Sequence, residues 1–293
     1  MERFKRLGLY LDEWPDDANV LAYAARLAQL AQIEMMQVVY YSRRAPDDPR
    51  GPFDHEGMLH RHLPAELLNC TSLRVVRRGA VEEILRAARE HALDLILAGR
   101  TLPASQLATG HAFNRLVRKA PCSVMLVPEG AAVHLSRVLV PVDFSEHARL
   151  ALETAVDLAR ASGKPHPQLH VQTVFSVGYG YSKTGLTLEE AVAELEQRNR
   201  QRLEEFVHAA VDTTGLSCEL HCSSSDEPEQ AILQLAQARK VDLICVGSRG
   251  LSGMASVILG GTAERIVAQA SIPTLIVKRK GETLGLLDAL LGR

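Results

Sequence analysis

Three short apolar strings occur twice in this chain, in the same order both times. "RLGLYLD" (Arg6 to Asp12) returns as "RVLVPVD" (Arg137 to Asp143), "LDLILAGR" (93–100) as "VDLICVGSR" (241–249), and "APCSVMLV" (120–127) as "ASIPTLIV" (270–277). Matched positions are 131 residues apart at Asp12/Asp143, 148 at Gly99/Gly247 and 150 at Ala120/Ala270. A repeat of that length is the size of a domain rather than of a solenoid unit. The 293 residues should therefore fold as one architecture built twice, with the second copy longer in its middle. Pro, Gly and small residues in "PEGAAVHLS" (128–136) separate two apolar runs and mark the join. The expected division is residues 1–130, 131–280 and a tail, 281–293.

Within each copy, short apolar runs alternate with segments of helical period. In the second, "VLVPV" reads as a strand. The next segment repeats Ala148, Leu152, Ala155, Val156 and Ala159 at three- and four-residue steps and stops at Gly163, which predicts a helix. "LHVQTVF" is the second strand, 187–214 a long helix and "SCELHC" the third strand. "PEQAILQLAQARK", "VDLICVG", "GTAERIVAQA" and "PTLIVKR" follow as helix, strand, helix and strand. Alternating β and α with wholly apolar strands implies α/β domains, each an open parallel sheet covered on both faces. Ligands of such sheets bind beyond the carboxyl ends of the strands, where the strand order reverses.

Composition narrows the partners. With 46% hydrophobic and 23% charged residues and a net charge of -2, no basic excess draws the chain to nucleic acid. No segment approaches the roughly 20 apolar residues that span a bilayer, and the amino-terminal apolar run is too short for a signal peptide. Five scattered cysteines suit a reducing cytoplasm.

The stretch "VGSRGLSGMASVILGGTAERIV" (246–267) holds five glycines between a strand and a helix start. Bare backbone lets N–H groups close on an anion, and a helix amino terminus adds unpaired donors and positive dipole. A phosphate chain is the expected guest, with tight turns beside a sheet the alternative. The spacing Gly247-Ser-Arg-Gly250, nine residues, then Gly260 resembles the nucleotide-binding signature of the universal stress protein family. The whole chain up to about Lys280 is similar to that family's tandem members. The resemblance implies two Rossmann-like domains of the adenine nucleotide alpha hydrolase-like kind, forming a pseudo-dimer inside one polypeptide, with a homodimer left open. It implies ATP or ADP, with Mg²⁺, in the second domain. Asp143 at the end of the first strand and Val174 at the end of the second would hold the adenosine, Val246, Gly247, Arg249, Gly250, Gly260, Gly261 and Thr262 the phosphates, and Pro141 and Val142 beside Asp143 complete the expected nucleotide site. The family's small hydroxyl residue after the third glycine is here Gly261, with Thr262 one place later, so the backbone contacts survive while the hydroxyl contact is left open. Asp143 has a second reading, as helix N-cap in "DFSE" in competition with Ser145.

The first copy has Leu102 where Gly250 stands, followed by Pro103, and Trp14 and Pro15 after Asp12. A side chain at Leu102 blocks close approach of phosphate, so this copy is expected not to bind ATP in the same way. His55, His60, His62, His166, His170, Cys218 and Cys222 do not form two pairs at zinc spacing, so no metal is expected. The loop 176–185 is read as a cover over the nucleotide, and the leucine stripe of the tail as a docking helix.

Two functions compete. One is a stress or signalling protein whose nucleotide sets its shape or its choice of an unknown protein partner, with at most slow ATPase activity because no general base is apparent. The other is a nucleotide-independent scaffold, or a protein that binds a small ligand or lipid. The final strands of the two copies, Ser123 to Val127 and Thr274 to Lys278, are expected to pair antiparallel, because each would otherwise leave an open sheet edge.

Overall fold

The computed structural model describes residues 3–13, 17–44, 48–49, 51–100, 114–178, 187–250 and 259–281. Of these, 3–133 with 271–281 form one compact unit, and 134–250 with 259–270 form another.

The first unit runs β1 (Arg6–Leu11), α1 (Asp17–Leu30), β2 (Met35–Tyr41), α2 (His55–His62), α3 (Ala65–Leu68), β3 (Thr71–Val76), α4 (Ala80–Glu90), β4 (Leu95–Arg100), α5 (114–119) and β5 (Ser123–Pro128). Its strands lie in the order β3-β2-β1-β4-β5 and are parallel. A last strand, β10 (Thr274–Val277), joins this unit antiparallel to β5, with Leu275 opposite Met125 and Ile276 opposite Val124. The expected pairing of the two final strands is therefore present. The strand that closes the second sequence copy packs with the first unit. Lys278 reinforces the junction: its ammonium donates to Ala120 O at 2.9 Å, and its main-chain N–H donates to Ser123 Oγ at 3.2 Å.

The second unit runs β6 (Arg137–Pro141), α6 (Glu146–Ala161), β7 (Gln168–Phe175), α7 (Leu188–Ala210), β8 (Ser217–Ser224), α8 (Pro228–Ala238), β9 (Leu243–Gly247) and α9 (Gly261–Gln269). Its strands are parallel in the order β9-β6-β7-β8. All five apolar positions that predict α6 are buried, and Gly163 adopts φ +72 just past the Ser162 C-cap, a left-handed stop that favours glycine. The long α7 begins at a capping box between Thr187 and Glu190 and ends at Ala210, a few residues before the expected 214. It replaces α2 and α3 of the first unit, which accounts for the longer middle of the second copy.

One device recurs in both units. Asp242, before β9, accepts the main-chain N–H of Arg137 at 3.0 Å and pairs with the Arg137 guanidinium at 2.9 Å. Asp94, before β4, accepts the N–H groups of Lys5 and Arg6 at 3.0 and 2.8 Å. Each carboxylate ties the start of the fourth strand of its copy to the start of the first, which fixes the register of the two strands that flank the switch point. Among the described residues no helix is long and apolar enough to cross a membrane.

Candidate functional site

In the second unit the chain leaves β6 for β7 on one side and later returns to β9 on the other. The carboxyl ends of β6 and β9 thus diverge into a crevice. A cavity of about 360 Å³ opens there. Pro141, Val142 and Asp143 line it from the end of β6, and Val174 from the end of β7. Val246, Gly247, Arg249 and Gly250 line it from β9 and its turn, and Gly260, Gly261 and Thr262 from the start of α9. All eleven residues picked out by the sequence share this one cavity.

Their local geometry assigns the competing roles. Ser145, not Asp143, is the N-cap of α6: its hydroxyl accepts the Ala148 N–H at 3.1 Å. Asp143 Oδ1 instead accepts the Ser145 N–H at 3.1 Å, a local turn that orients the carboxylate. The other oxygen faces Gly250, where an added Cβ would lie 2.5 Å from Oδ2. Phe144, between them, has φ +67, a left-handed conformation costly for an aromatic residue. The Arg202 guanidinium lies 3.9 Å from its ring centroid, and Phe206 meets it edge-on at 5.6 Å. The matching residue of the first unit, Glu13, has φ +64, so the strained step after the aspartate belongs to both copies.

Gly247 has a packing role as well as a place in the lining. A Cβ there would lie 2.7 Å from the main-chain carbon of His147, in the first turn of α6. Gly261 differs: a Cβ would meet nothing within 4 Å. Gly260 is the N-cap of α9, its N–H donates to Ser248 O at 2.9 Å, and among the described residues no side chain caps the helix. The first turn, Gly260 to Ala263, whose N–H groups lack intrahelical partners, lines the cavity.

Five lining residues escape the sequence reading: Ala148, Gln172, Pro228, Ile232 and Ala263. Pro228 and Ile232 lie one turn apart at the start of α8, so their shared face is legible, though not what it covers. Gln172 is 1% exposed inside β7, and its amide donates to Ser223 Oγ and Ala231 O at 3.0 and 3.3 Å. It lies among buried polar neighbours, His170 and Thr173, in the same strand, so the strand's own pattern does not mark its place in the lining.

The first unit uses its equivalent edge differently. Asp12 is 7% exposed and pairs with Arg43 Nη2 at 2.6 Å, while Arg43 Nε donates to the Asp12 carbonyl at 2.8 Å. Burial pushes the Asp12 carboxyl above its ordinary range, with Arg43 opposing. Glu13 is held by His55 at 3.1 Å, and His55 packs against Tyr40 and Phe53. The carboxylate matching Asp143 is thus neutralised from within the chain. Leu102, Pro103, Trp14, Pro15, most of the loop 176–185 and nearly all of the tail lie outside the described residues.

A doubled, Rossmann-like α/β architecture with a glycine-lined crevice at the switch point defines the class. A profile of the Universal stress protein family matches residues 3–128 and again 134–278, and the chain belongs to that family. A universal stress protein from Thermus aquaticus is 31% identical over 141 residues, 48% of this chain and 97% of that protein. A functionally unknown protein from Pseudomonas aeruginosa PAO1, 16% identical, aligns over 99% of this chain and 98% of its own with a TM-score of 0.67. A universal stress protein from Archaeoglobus fulgidus, 20% identical, aligns over 94% and 99% with a TM-score of 0.61. At those identities the two structures speak to fold, and they carry the tandem arrangement along nearly the whole chain.

Proposed function

We propose that the second unit binds ATP or ADP, with Mg²⁺, and that occupancy sets the shape or partner choice of a cytoplasmic stress-response protein. The observation that carries this reading is the uncapped, glycine-built amino terminus of α9 on the wall of a 360 Å³ cavity. Unpaired N–H groups and the positive helix end suit a phosphate chain, and Arg249 in the lining adds a cation. Val142, Val174, Pro228 and Ile232, also in the lining, offer apolar surface for a base. Gln172 Oε1 is an acceptor without a hydrogen-bond partner among the described residues, which suits the amino group of adenine better than the carbonyl of guanine. Asp143 is the one carboxylate among the described lining residues and would serve the ribose or the Mg²⁺. Among the described lining residues no histidine stands beside the cavity to act as a general base, and with Asp143 given to the ribose or the metal, hydrolysis would be slow.

Titration calorimetry of the purified chain with ATP and Mg²⁺ tests this. The expected result is saturable binding of one nucleotide per chain, ATP over GTP, with ATP or ADP released on denaturation of fresh protein. A chain that melts cooperatively, carries no nucleotide and gives no heat with ATP, ADP or GTP would overturn it.

A further inference from the structure

Two histidines and a glutamate meet on one face of the β7–β8 pair. The parallel register sets His170 opposite Glu219 and Gln172 opposite His221, and strand alternation puts the three on a common face. His170 Nδ1 is 3.2 Å from His221 Nε2, and Glu219 Oε2 is 3.7 Å from each nitrogen. A point equidistant from three atoms so spaced lies about 2.1 Å from each, within the roughly 2.0–2.2 Å of zinc–imidazole and zinc–carboxylate bonds. Hydrogen bonding uses the trio poorly. Two rings share one proton between them, and 3.7 Å is too long for a carboxylate hydrogen bond to either. A cation takes a lone pair from all three at once.

We propose that His170, His221 and Glu219 form a binding site for a divalent transition-metal ion of the zinc class, independent of the nucleotide reading. Two imidazoles and one carboxylate favour zinc, cobalt or nickel over magnesium or calcium, and three protein ligands leave a position for water. His170 is 2% exposed and the Glu219 side chain 44%, so the site has a buried floor and an open entrance. Arg239, at the C-cap of α8, lies 3.3 Å from Glu219 Oε2 and competes with the ion for that oxygen. Sequence spacing conceals the group: His221 lies 51 residues from His170, and only strand pairing joins them.

The test uses the full chain stripped with a chelator, Co²⁺ as a spectroscopic probe and Zn²⁺ as its competitor. One Co²⁺ per chain should give d–d absorption without a thiolate charge-transfer band, and Zn²⁺ should displace it and raise the melting temperature by a few degrees. Glu219→Gln should weaken Co²⁺ binding at least tenfold and His221→Asn abolish it, each with a normal metal-free melt. Arg239→Gln should tighten binding severalfold, a gain that a merely structural polar cluster would not produce. No saturable Co²⁺ uptake, a thiolate band pointing to the cysteines, or unchanged affinity in Glu219→Gln and His221→Asn would overturn the proposal.

Discussion

An added Cβ would lie 2.5 Å from Asp143 Oδ2 at Gly250 and 2.7 Å from the His147 main chain at Gly247, and would meet nothing within 4 Å at Gly261. Three alanine substitutions in one loop system should therefore fail in three different ways. Gly250→Ala forces the Asp143 carboxylate aside, and should cost about tenfold or more in nucleotide affinity, about 1.4 kcal/mol, with little change in melting. Gly247→Ala drives a methyl into a helix backbone that cannot yield, and overpacking of that kind costs about 1–3 kcal/mol of stability. Gly261→Ala leaves the protein unstrained and fills ligand space, so it should melt as wild type and bind poorly. Calorimetry paired with thermal melting separates the three, and equal effects on binding and melting in all of them would refute the assignment. In the first unit the informative residue is Arg43, the cation beside a buried Asp12. The Asp12 carboxyl is already raised by burial, so its charged form opposes folding, and stability falls as pH rises above the ordinary carboxylate range. Arg43→Ala removes the compensating charge and widens that window. The variant should be less stable by about 1–3 kcal/mol near pH 7, with the deficit shrinking as pH falls through the ordinary carboxylate range and vanishing below about 3, where the carboxyl is protonated in both states.

At the scale of elements, Asp242 and Asp94 act as ties rather than site residues. Asp242 accepts from main chain and guanidinium together, and its side chain is 6% exposed. Asp242→Ala leaves the Arg137 N–H and guanidinium short of an acceptor in a half-buried setting, a loss of about 2–3 kcal/mol. That should show as a melting decrease of several degrees, and a wild-type melt would mean that the tie is redundant. The same elements mark what the sequence makes legible. Strands such as Leu243–Gly247 are wholly apolar, and α6 carries its buried stripe at helical steps, so type and order follow from local pattern. The glycine spacing locates the crevice because a strand end followed by bare backbone has few other uses. Cross-strand and cross-element relations are not legible. Nothing local says that Arg43 reaches back 31 residues to Asp12, that Gln172 and Ile232 share a wall, or that His170 faces His221. Each depends on register, which is decided by the packing of the whole sheet. The Asp143 and Ser145 alternatives also required the fold, since both are good caps and only the path of the chain after β6 chooses between them.

For the whole molecule, sequence copy and compact unit part company at β10. Residues 274–277 end the second copy, yet they pair antiparallel with β5, and Lys278 caps carbonyls at the end of α5. The first unit therefore takes the strand beside β5 from a segment much later in the sequence, 148 residues from Leu126 to Thr274. Removing residues 271–293 should leave every residue of the second unit's cavity, which ends at Ala263, while stripping β5 of its partner. An exposed β5 presents Val124, Met125 and Leu126, all buried in the intact chain, along an unpaired ladder, and such an edge pairs with another copy. The truncated chain should form dimers or larger species by light scattering and lose its first-unit melting transition, yet still bind nucleotide at one per chain with affinity within a few-fold of the full protein. Monomeric, fully stable material would show that β5 does not need β10. Loss of nucleotide binding in material whose second unit still melts normally would show that the cavity depends on more of the chain than the residues that line it.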